Sequence, residues 1–425
     1  MESIRKVDSI SVMTDETPKN SEAKSGLEKF LVRRSTIWSI LLFGTVLRVA
    51  IVAGSIGTND VYNWLQFDNL LGEVGISDAY GHHPELNHPP LMLVILHGLS
   101  RLSSLTGIQL TDLLRLLQTA ADALAYFVLL FLGRELFPPR LATTPAFVLM
   151  LAPISMFISG FHANSDPLMI SLVLLAVGFF VADRSFLSGI ALGLACGIKI
   201  LPLLVVPFFF LLSRRADRVR FILGLASSLA GIFLPLLVTG GTGPLRQIFG
   251  YSGLTGEWGL IPTLLLLNQR FPDALTSTAL FKAAVIYNDY GRSITVAGLF
   301  ILYAWCLRLV GSEERERMLI SFIGLTFLLF LALTPSYGVQ YLVWPVAFLS
   351  FLLSFRTAIA LIAVLSAYVF LTYTIWSGGF PWWYADSIRY SPLKYVILLA
   401  GIPVWFCIIA ATVNGVMRIR ATIRR

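Results

Sequence analysis

Long apolar stretches alternate with short polar segments along almost the whole chain. Crossing the ~30 Å apolar layer of a bilayer takes about 20 apolar residues in a helix. By this criterion the pattern predicts twelve transmembrane segments, at 36–56, 112–134, 140–159, 167–182, 186–198, 201–213, 219–239, 293–310, 318–334, 339–355, 357–376 and 394–414. Two of these, 186–198 and 201–213, are short, with Lys199 between them and Pro202 at the start of the second. Such an interruption is typical of a broken helix that lines a cavity.

Every second polar segment between the apolar stretches is basic, and the largest group of arginines is Arg214, Arg215, Arg218 and Arg220. Because Lys and Arg accumulate on the cytoplasmic side of membrane proteins, these segments and both termini are predicted to be cytoplasmic. This orientation requires that residues 88–102 form an interfacial helix rather than a span. The predicted external segments are then 57–111, 160–167, 240–292, 334–340 and 377–391.

Composition limits the class of protein. Of the 425 residues, 56% are hydrophobic and 13% are charged, and the mean hydropathy is +0.77, whereas soluble domains contain about 25% charged residues. The chain is therefore predicted to be an all-α polytopic membrane protein. The net charge of +8 does not indicate nucleic-acid binding, because the basic residues are dispersed among short segments. The three cysteines lie in apolar segments, so neither a disulfide framework nor a zinc motif is expected.

Four regions are expected along the chain. Residues 1–35 form a disordered cytoplasmic tail, and 36–239 form a membrane module that includes the external loop 57–111. Residues 240–292 form a large external loop, and 293–425 form the C-terminal transmembrane helices. No glycine-rich phosphate loop of the GxGxxG or GxxxxGK[ST] type occurs. Any chemistry is therefore expected at the membrane face.

The segment TNDVYNWLQFDNLL (58–71) follows the first apolar stretch and is amphipathic. At helical spacing its residues separate onto two sides, Val61, Trp64, Leu65, Phe67 and Leu71 on one and Tyr62, Gln66 and Asn69 on the other. This pattern predicts a helix that lies on the membrane surface. Asp68 falls on the apolar side, and the pattern does not explain it. Two roles are open for Asp60: an N-cap, where Asp is a preferred residue, or a functional carboxylate.

A second polar interruption, FHANSDP, contains His162, Asn164 and Asp166 between two apolar segments. Asp166 precedes Pro167 and can cap the next helix, and a functional role is equally open. Lys199 is harder to explain structurally, because a cation within apolar sequence is costly unless it faces a wet cavity or an anion. A functional role is therefore favoured for Lys199.

Two other clusters carry weaker signals. His82, His83 and His88 with Glu85 lack the spacing of a zinc site, so no metal is expected. The aromatic residues of 380–390 indicate an interfacial belt first and a sugar or lipid platform second.

Six segments occur in a fixed order within residues 36–270: NDVYNW, NHPPLM, LLRLLQTAADALAY, SGFHANSDPLMISLVLL, LSGIALGLACGIKILPLLVVPFFFLL and FLPLLVTGGTGPLRQIF. The series resembles the GT-C superfamily of integral-membrane glycosyltransferases, and most closely the dolichyl-phosphate-glucose-dependent glucosyltransferases of N-glycan assembly. NDVYNW is similar to the family's first-loop acidic motif, and NHPPLM to its D-Y-P-P-L stretch, with Asn87-His88 in place of the Asp-Tyr pair. The family's H-E-K motif is absent, and SYGVQYL takes its place with Tyr337 where the His would be.

The resemblance implies a GT-C fold with about twelve transmembrane helices and external interfacial helices and loops. It implies sugar transfer from a polyprenyl-phosphate donor, with inversion at the anomeric carbon, and Asp60 as the catalytic base. Residues expected near the donor phosphate are Lys199, Arg246, His162, Tyr337 and Gln340. Residues expected near the sugar or acceptor are Tyr62, Asn63, His88, Asn164 and Asp166. No cofactor and no metal are expected.

The expected partners are the polyprenyl-phosphate sugar, a glycan or glycolipid acceptor and membrane lipids, with no nucleic acid. The expected location is the inner (plasma) membrane of a prokaryote or the endoplasmic reticulum of a eukaryote, with the active site on the external side. Two other classes of function stay open: a transporter or flippase of lipid-linked sugars, and a non-catalytic subunit with the same fold. The absence of a visible inverted repeat disfavours the transporter.

Overall fold

The computed structural model describes residues 34–250, 254–255, 258–270, 274–309, 314–376 and 394–423. Within these residues the regular secondary structure is helical apart from one pair of two-residue strands, so the predicted all-α class is confirmed. Most of the expected tail and the aromatic cluster at 380–390 lie outside the described residues.

Among the described residues, ten α-helices precede residue 241. They are α1 (Arg34–Ala53), α2 (Asn59–His82), α3 (Pro90–Thr106), α4 (Leu110–Leu136), α5 (Thr144–Leu151), α6 (Pro153–Phe157), α7 (Asp166–Val181), α8 (Ser185–Ile198), α9 (Val206–Leu212) and α10 (Arg215–Gly240). Three shorter helical segments lie between them: 3₁₀ turns at Pro139–Leu141 and Leu201–Val205, and a π-helix at Ile158–His162.

The rest of the described chain contains seven α-helices, one 3₁₀ turn and the two strands. In order they are α11 (Gly243–Gly250), β1 (Leu254–Thr255), α12 (Leu260–Arg270), α13 (Ala274–Leu307), α14 (Arg315–Leu333), β2 (Ser336–Tyr337), the 3₁₀ turn Val339–Val343, α15 (Val346–Leu352), α16 (Phe355–Trp376) and α17 (Lys394–Ile423). The strands pair antiparallel, with Leu254 opposite Tyr337.

Seven described helices are long and apolar enough to cross a membrane: α1, α4, α10, α13, α14, α16 and α17. The segments Pro139–Leu151 and Pro153–His162, bent by 44° at their junction, give an eighth candidate. The other four predicted segments coincide with shorter helical stretches, so a count of twelve spans stays a prediction. Helix α13 begins at Ala274, well before the predicted residue 293. The hydropathy pattern predicts a later start because polar residues in the first half of the helix lower the hydropathy there.

Glycines let α8 and α10 approach closely. A Cβ atom on Gly189 would lie 2.1 Å from the carbonyl oxygen of Phe221, and one on Gly193 would lie 2.6 Å from Cβ of Ser228. Gly197 meets α10 one turn further along α8. Small residues at four-residue spacing are a common basis of helix packing in membranes. This contact fixes the C-terminal end of α8, which leads into the site described below.

A buried ion pair joins α1 to α4. Arg48 is fully buried and its Nε lies 2.8 Å from Oδ2 of Asp122. The guanidinium group also donates to the hydroxyl oxygens of Ser155, at 2.8 Å, and Ser159, at 3.1 Å. Because an unpaired charge at membrane depth is costly, this network holds the π-helix Ile158–His162 against both helices.

The amphipathic pattern predicted for residues 61–71 agrees with the structure of α2. Val61, Trp64, Phe67 and Leu71 are buried, and Tyr62, Gln66 and Asn69 are exposed. The carboxylate of Asp68, which the pattern left unexplained, accepts a 2.6 Å hydrogen bond from the Ser100 hydroxyl on α3. It therefore ties α2 to α3.

Candidate active site

The backbone departs from regular helix where the polar segment 161–167 begins. After the π-helix Ile158–His162, Ala163 has a φ of +62°, a left-handed conformation that is uncommon for a residue with a Cβ atom. Trp64 holds this turn, because its Nε1 donates a 2.8 Å hydrogen bond to the Ala163 carbonyl. Single-turn π-helices and strained residues cluster at functional sites. Here the turn brings His162 and Asn164 to the start of α2.

Thr58, not Asp60, caps α2. The Thr58 hydroxyl accepts a 3.3 Å hydrogen bond from the Asp60 amide, and the helix begins at Asn59. The N-cap role considered for Asp60 is therefore wrong, because Asp60 already lies in the first turn. Its side chain, 23% exposed, is available for contacts elsewhere.

Two side chains converge on one oxygen of Asp60. His162 Nε2 lies 3.1 Å from Oδ2, and Asn164 Nδ2 donates to the same oxygen at 2.9 Å. In the described part of the chain, Oδ1 has no hydrogen-bond partner. Burial raises the pKa of Asp60, but His162, Asn164 and Lys199 together outweigh burial and lower it from 3.8 to about 2. Asp60 is thus an ionised carboxylate with one oxygen held and the other open.

Lys199 follows the last residue of α8 and joins the same network. Its Nζ donates to Oδ1 of Asn164 at 2.9 Å and to Oδ1 of Asp166 at 2.7 Å. The ammonium group also lies over the rings of Tyr341, at 5.3 Å, and Trp344, at 5.9 Å. Asn164 therefore bridges Lys199 and the carboxylate of Asp60 with the two ends of one amide.

Asp166 is fully buried and serves Lys199 rather than a helix cap. The N-cap position of α7 belongs to Ser165, and Oδ1 of Asp166 also accepts a 2.7 Å hydrogen bond from Nε1 of Trp344. Among the described residues, nothing bonds to its Oδ2. The position of Lys199 is therefore fixed by a buried carboxylate.

A cavity of about 300 Å³ opens beside Lys199. Arg292 lines the same cavity, as do Asn87 and the aromatic pair Tyr341 and Trp344. Its apolar wall is formed by Ile200, Leu201, Leu204, Ile248, Phe249, Val296, Leu299 and Phe330. A lining that combines two cations with many apolar side chains suits an anionic group attached to a lipid chain. Arg292 is not predictable from the sequence, because nothing local distinguishes it from other arginines.

The residues expected to contact the sugar or acceptor lie at different depths. Tyr62 is 45% exposed, and Asn63 is half-buried in the same turn of α2 as Asp60. The His88 ring packs 4.5 Å from that of Trp64. Burial first, and then the charge of Lys199, lower the pKa of His88 to about 3, so its imidazole is neutral.

The remaining residues expected near the phosphate are not brought to the cavity by the described part of the structure. Arg246 is exposed on α11, and Gln340 is half-buried in a 3₁₀ turn; neither is among the described residues that line the cavity. The backbone of Tyr337 lies in β2, and its side chain is outside the described part. The described residues contain no group of three or more side chains placed to hold a metal.

A model of glycosyltransferase family 87 matches residues 87–335, which is more than half of the chain. The chain belongs to glycosyltransferase family 87. This membership confirms the resemblance to the GT-C glycosyltransferases, while the special closeness to the glucosyltransferases of N-glycan assembly stays a prediction. The matched range contains Lys199, Asn164 and Arg292 and begins after Asp60. Together with the long apolar helices, this membership shows that the protein is an integral membrane protein.

Similar solved structures are those of an oligosaccharyltransferase from Archaeoglobus fulgidus. One is tethered to an acceptor peptide (TM-score 0.45, 14% identity), and another is in complex with an inhibitory peptide and a dolichol-phosphate (TM-score 0.43, 14% identity). The matches cover 90% and 89% of this chain but 56% of the archaeal protein in both cases, so the chain spans just over half of that protein's length. No curated protein matches the sequence significantly.

Proposed function

We propose that the protein transfers a sugar from a polyprenyl-phosphate donor to an acceptor hydroxyl at the external face of the membrane. The observation that supports this most is the connection between two features, the partly exposed carboxylate of Asp60 and the cation-lined cavity. Asn164 joins them through contacts of 2.9 Å on each side. A base and an anion site at this separation suit a reaction in which an acceptor attacks a sugar phosphate.

In this reaction the acceptor oxygen bonds to the anomeric carbon as the bond from that carbon to the phosphate oxygen breaks, with inversion. The hydroxyl proton passes to Oδ1 of Asp60, and the bonding electrons leave with the phosphate. With a pKa of about 2 the carboxylate is a weak base. The attacking hydroxyl becomes strongly acidic as its oxygen bonds to the anomeric carbon, so a weak base suffices to accept its proton. A general base of this kind contributes about 10²–10⁴-fold to the rate.

The departing phosphate gains negative charge and needs cations that are already in place. Lys199 and Arg292 line the cavity and are proposed to supply them, while the apolar wall takes the first isoprenyl units. Nucleotide sugars are cytosolic, so an external site must receive its sugar through the membrane on a lipid carrier. Positive-inside counting supports the external location, because it places the segments 57–111 and 160–167 outside.

A donor panel tests this proposal. Full-length protein in lipid nanodiscs receives polyprenyl-phosphate sugars or nucleotide sugars, together with a membrane lipid extract as acceptor source. We expect mass spectrometry to detect a glycosylated product and free polyprenyl phosphate with the lipid-linked donors only. Transfer from a nucleotide sugar, or release of no polyprenyl phosphate from any donor, would contradict the proposal.

Two arginine variants test the phosphate site. Arg292→Gln removes a cation from the cavity, and we expect the KM for the donor to rise at least about tenfold, the equivalent of one charged hydrogen bond. Arg246→Gln is the matched control, since Arg246 is exposed and outside the cavity lining. If the two substitutions raised the KM for the donor equally, the assignment of the cavity to the donor site would be wrong.

A further inference from the structure

His162 has partners on both sides of its ring. Nε2 faces Asp60, and Nδ1 lies 2.9 Å from the hydroxyl of Thr58. Thr58 is fully buried, and its hydroxyl also lies 3.1 Å from the carbonyl oxygen of His162. One threonine therefore caps α2 and anchors the imidazole at the same time.

The Thr58 hydroxyl has one hydrogen, and two arrangements are possible. If it donates to Nδ1 of His162, the neutral ring carries its hydrogen on Nε2. If it donates to the His162 carbonyl, Nδ1 must donate to Thr58, and Nε2 also needs a hydrogen to face the ionised Asp60. Both arrangements place an Nε2–H group against Oδ2.

Packing fixes the plane of the ring. Tyr373 on α16 stacks against His162, with ring centroids 5.4 Å apart and planes inclined by 24°. The His162 side chain is 3% exposed, whereas that of Asp60 is 23% exposed. The imidazole therefore meets the reacting groups only through Asp60.

We infer that Thr58 and His162 are positioning residues that present Nε2–H to Oδ2 of Asp60 and so reserve Oδ1 for the acceptor hydroxyl. The role of these two residues in turnover rests on the proposed function. The presence of the hydrogen on Nε2 and its protection from exchange by Thr58 do not depend on that function. Asn164 donates a hydrogen bond to the same oxygen. The Nε2–H group of His162 lies against that oxygen at 3.1 Å, at ion-pair distance and without hydrogen-bond geometry, so the two side chains together restrict rotation of the carboxylate.

The first test needs no substrate. In full-length protein labelled with ¹⁵N at histidine and held in nanodiscs, the resonances missing in His162→Phe identify His162. We expect a hydrogen bonded to Nε2 that exchanges slowly with water in the wild type and in Thr58→Ser, which keeps the hydroxyl and the cap. In Thr58→Val, exchange should be at least about tenfold faster. An Nε2 without hydrogen, or equal exchange in the Ser and Val variants, would overturn the inference.

The second test uses the donor that the panel above identifies. His162→Phe keeps a ring against Tyr373 but loses both nitrogens, and we expect kcat to fall about 10²-fold, the effect of misplacing a reacting group by about 1 Å. KM for both substrates should change less than threefold. His162→Gln restores an N–H donor and should recover at least tenfold of the loss. Equal kcat in the Phe and Gln variants, both folded by thermal unfolding, would refute the positioning role. Failure of every donor would refute the proposed function and leave the magnetic resonance result to decide the inference.

Discussion

Substitution of Asp60 by Asn probes the proposed base directly, because the site dictates how the amide must face. His162 and Asn164 both lie against Oδ2. The new carbonyl oxygen has to occupy that position, and the NH₂ group then replaces Oδ1 at the open side. An NH₂ group cannot accept a proton from the acceptor hydroxyl. The substitution therefore removes the base while it preserves size.

The expected loss of turnover can be compared with the expected loss of folding stability. Removing a general base lowers turnover by about 10²–10⁴-fold, which corresponds to about 3–5 kcal/mol of activation free energy. Two charge-assisted contacts to Oδ2 become neutral, which costs about 1–2 kcal/mol of folding free energy. Thr58 still caps α2, so no cap is lost. The variant should fold and bind the donor, and it should turn over slowly.

The assay is single-turnover transfer from a polyprenyl-phosphate sugar, with unfolding followed in parallel. Asp68→Asn is the matched control, because Asp68 lies on the same helix and its carboxylate bonds to Ser100 on α3, away from the site. It should keep nearly all activity. If Asp60→Asn retained more than about a tenth of wild-type turnover, the assignment of Asp60 as the base would be refuted.

Three further predictions follow from the charges in the site and the core. Lys199→Met leaves Asp166 as an unpaired buried carboxylate, so donor binding should weaken and the unfolding temperature should fall, while Lys199→Arg should recover part of both. Arg48→Met leaves Asp122 without its counter-ion and should lower the unfolding free energy, measured by denaturant titration, by about 3–5 kcal/mol. The double substitution with Asp122→Leu should recover much of this loss. The folded pKa of Asp60 is about 2 against 3.8 ordinarily, so its charge stabilises the protein fully above pH 3.8 and the effect is lost as pH falls towards 2. The difference in unfolding free energy between wild type and Asp60→Asn should therefore shrink as pH falls from 4 to 2, and a constant difference over that range would contradict it.

Local patterns predicted most of the helices and few of their partners. The apolar segments and the amphipathic start of α2 follow from hydropathy and helical spacing, which depend on neighbouring residues alone. The ion pair between Arg48 and Asp122 could not be predicted in this way, because the two residues lie on different spans and no local pattern links them. The early start of α13 was missed for the opposite reason, since its polar first half resembles a loop.

For the site, the sequence indicated residue types and the structure supplied their arrangement. Lys199 was recognisable by its cost in apolar sequence, and it does face a cavity. Asn164 and Asp166 were expected near the sugar, and the structure shows both buried and in contact with Lys199. His162 was expected near the phosphate, and it lies against Asp60. Both expectations stay predictions. Contacts across about a hundred residues of chain depend on the turn at Ala163, which no local pattern reveals.

The amide of Asn164 also has a consequence for the order of events on the proposed function. Lys199 helps to hold the pKa of Asp60 low. Linkage makes this influence mutual. An anion bound at Lys199 raises the pKa of Asp60, and ionisation of Asp60 weakens the binding of the anion. The two effects correspond to the same free energy. On the proposed function, the carboxylate is therefore a stronger base with the donor bound than without it, which favours ordered binding with the donor leading.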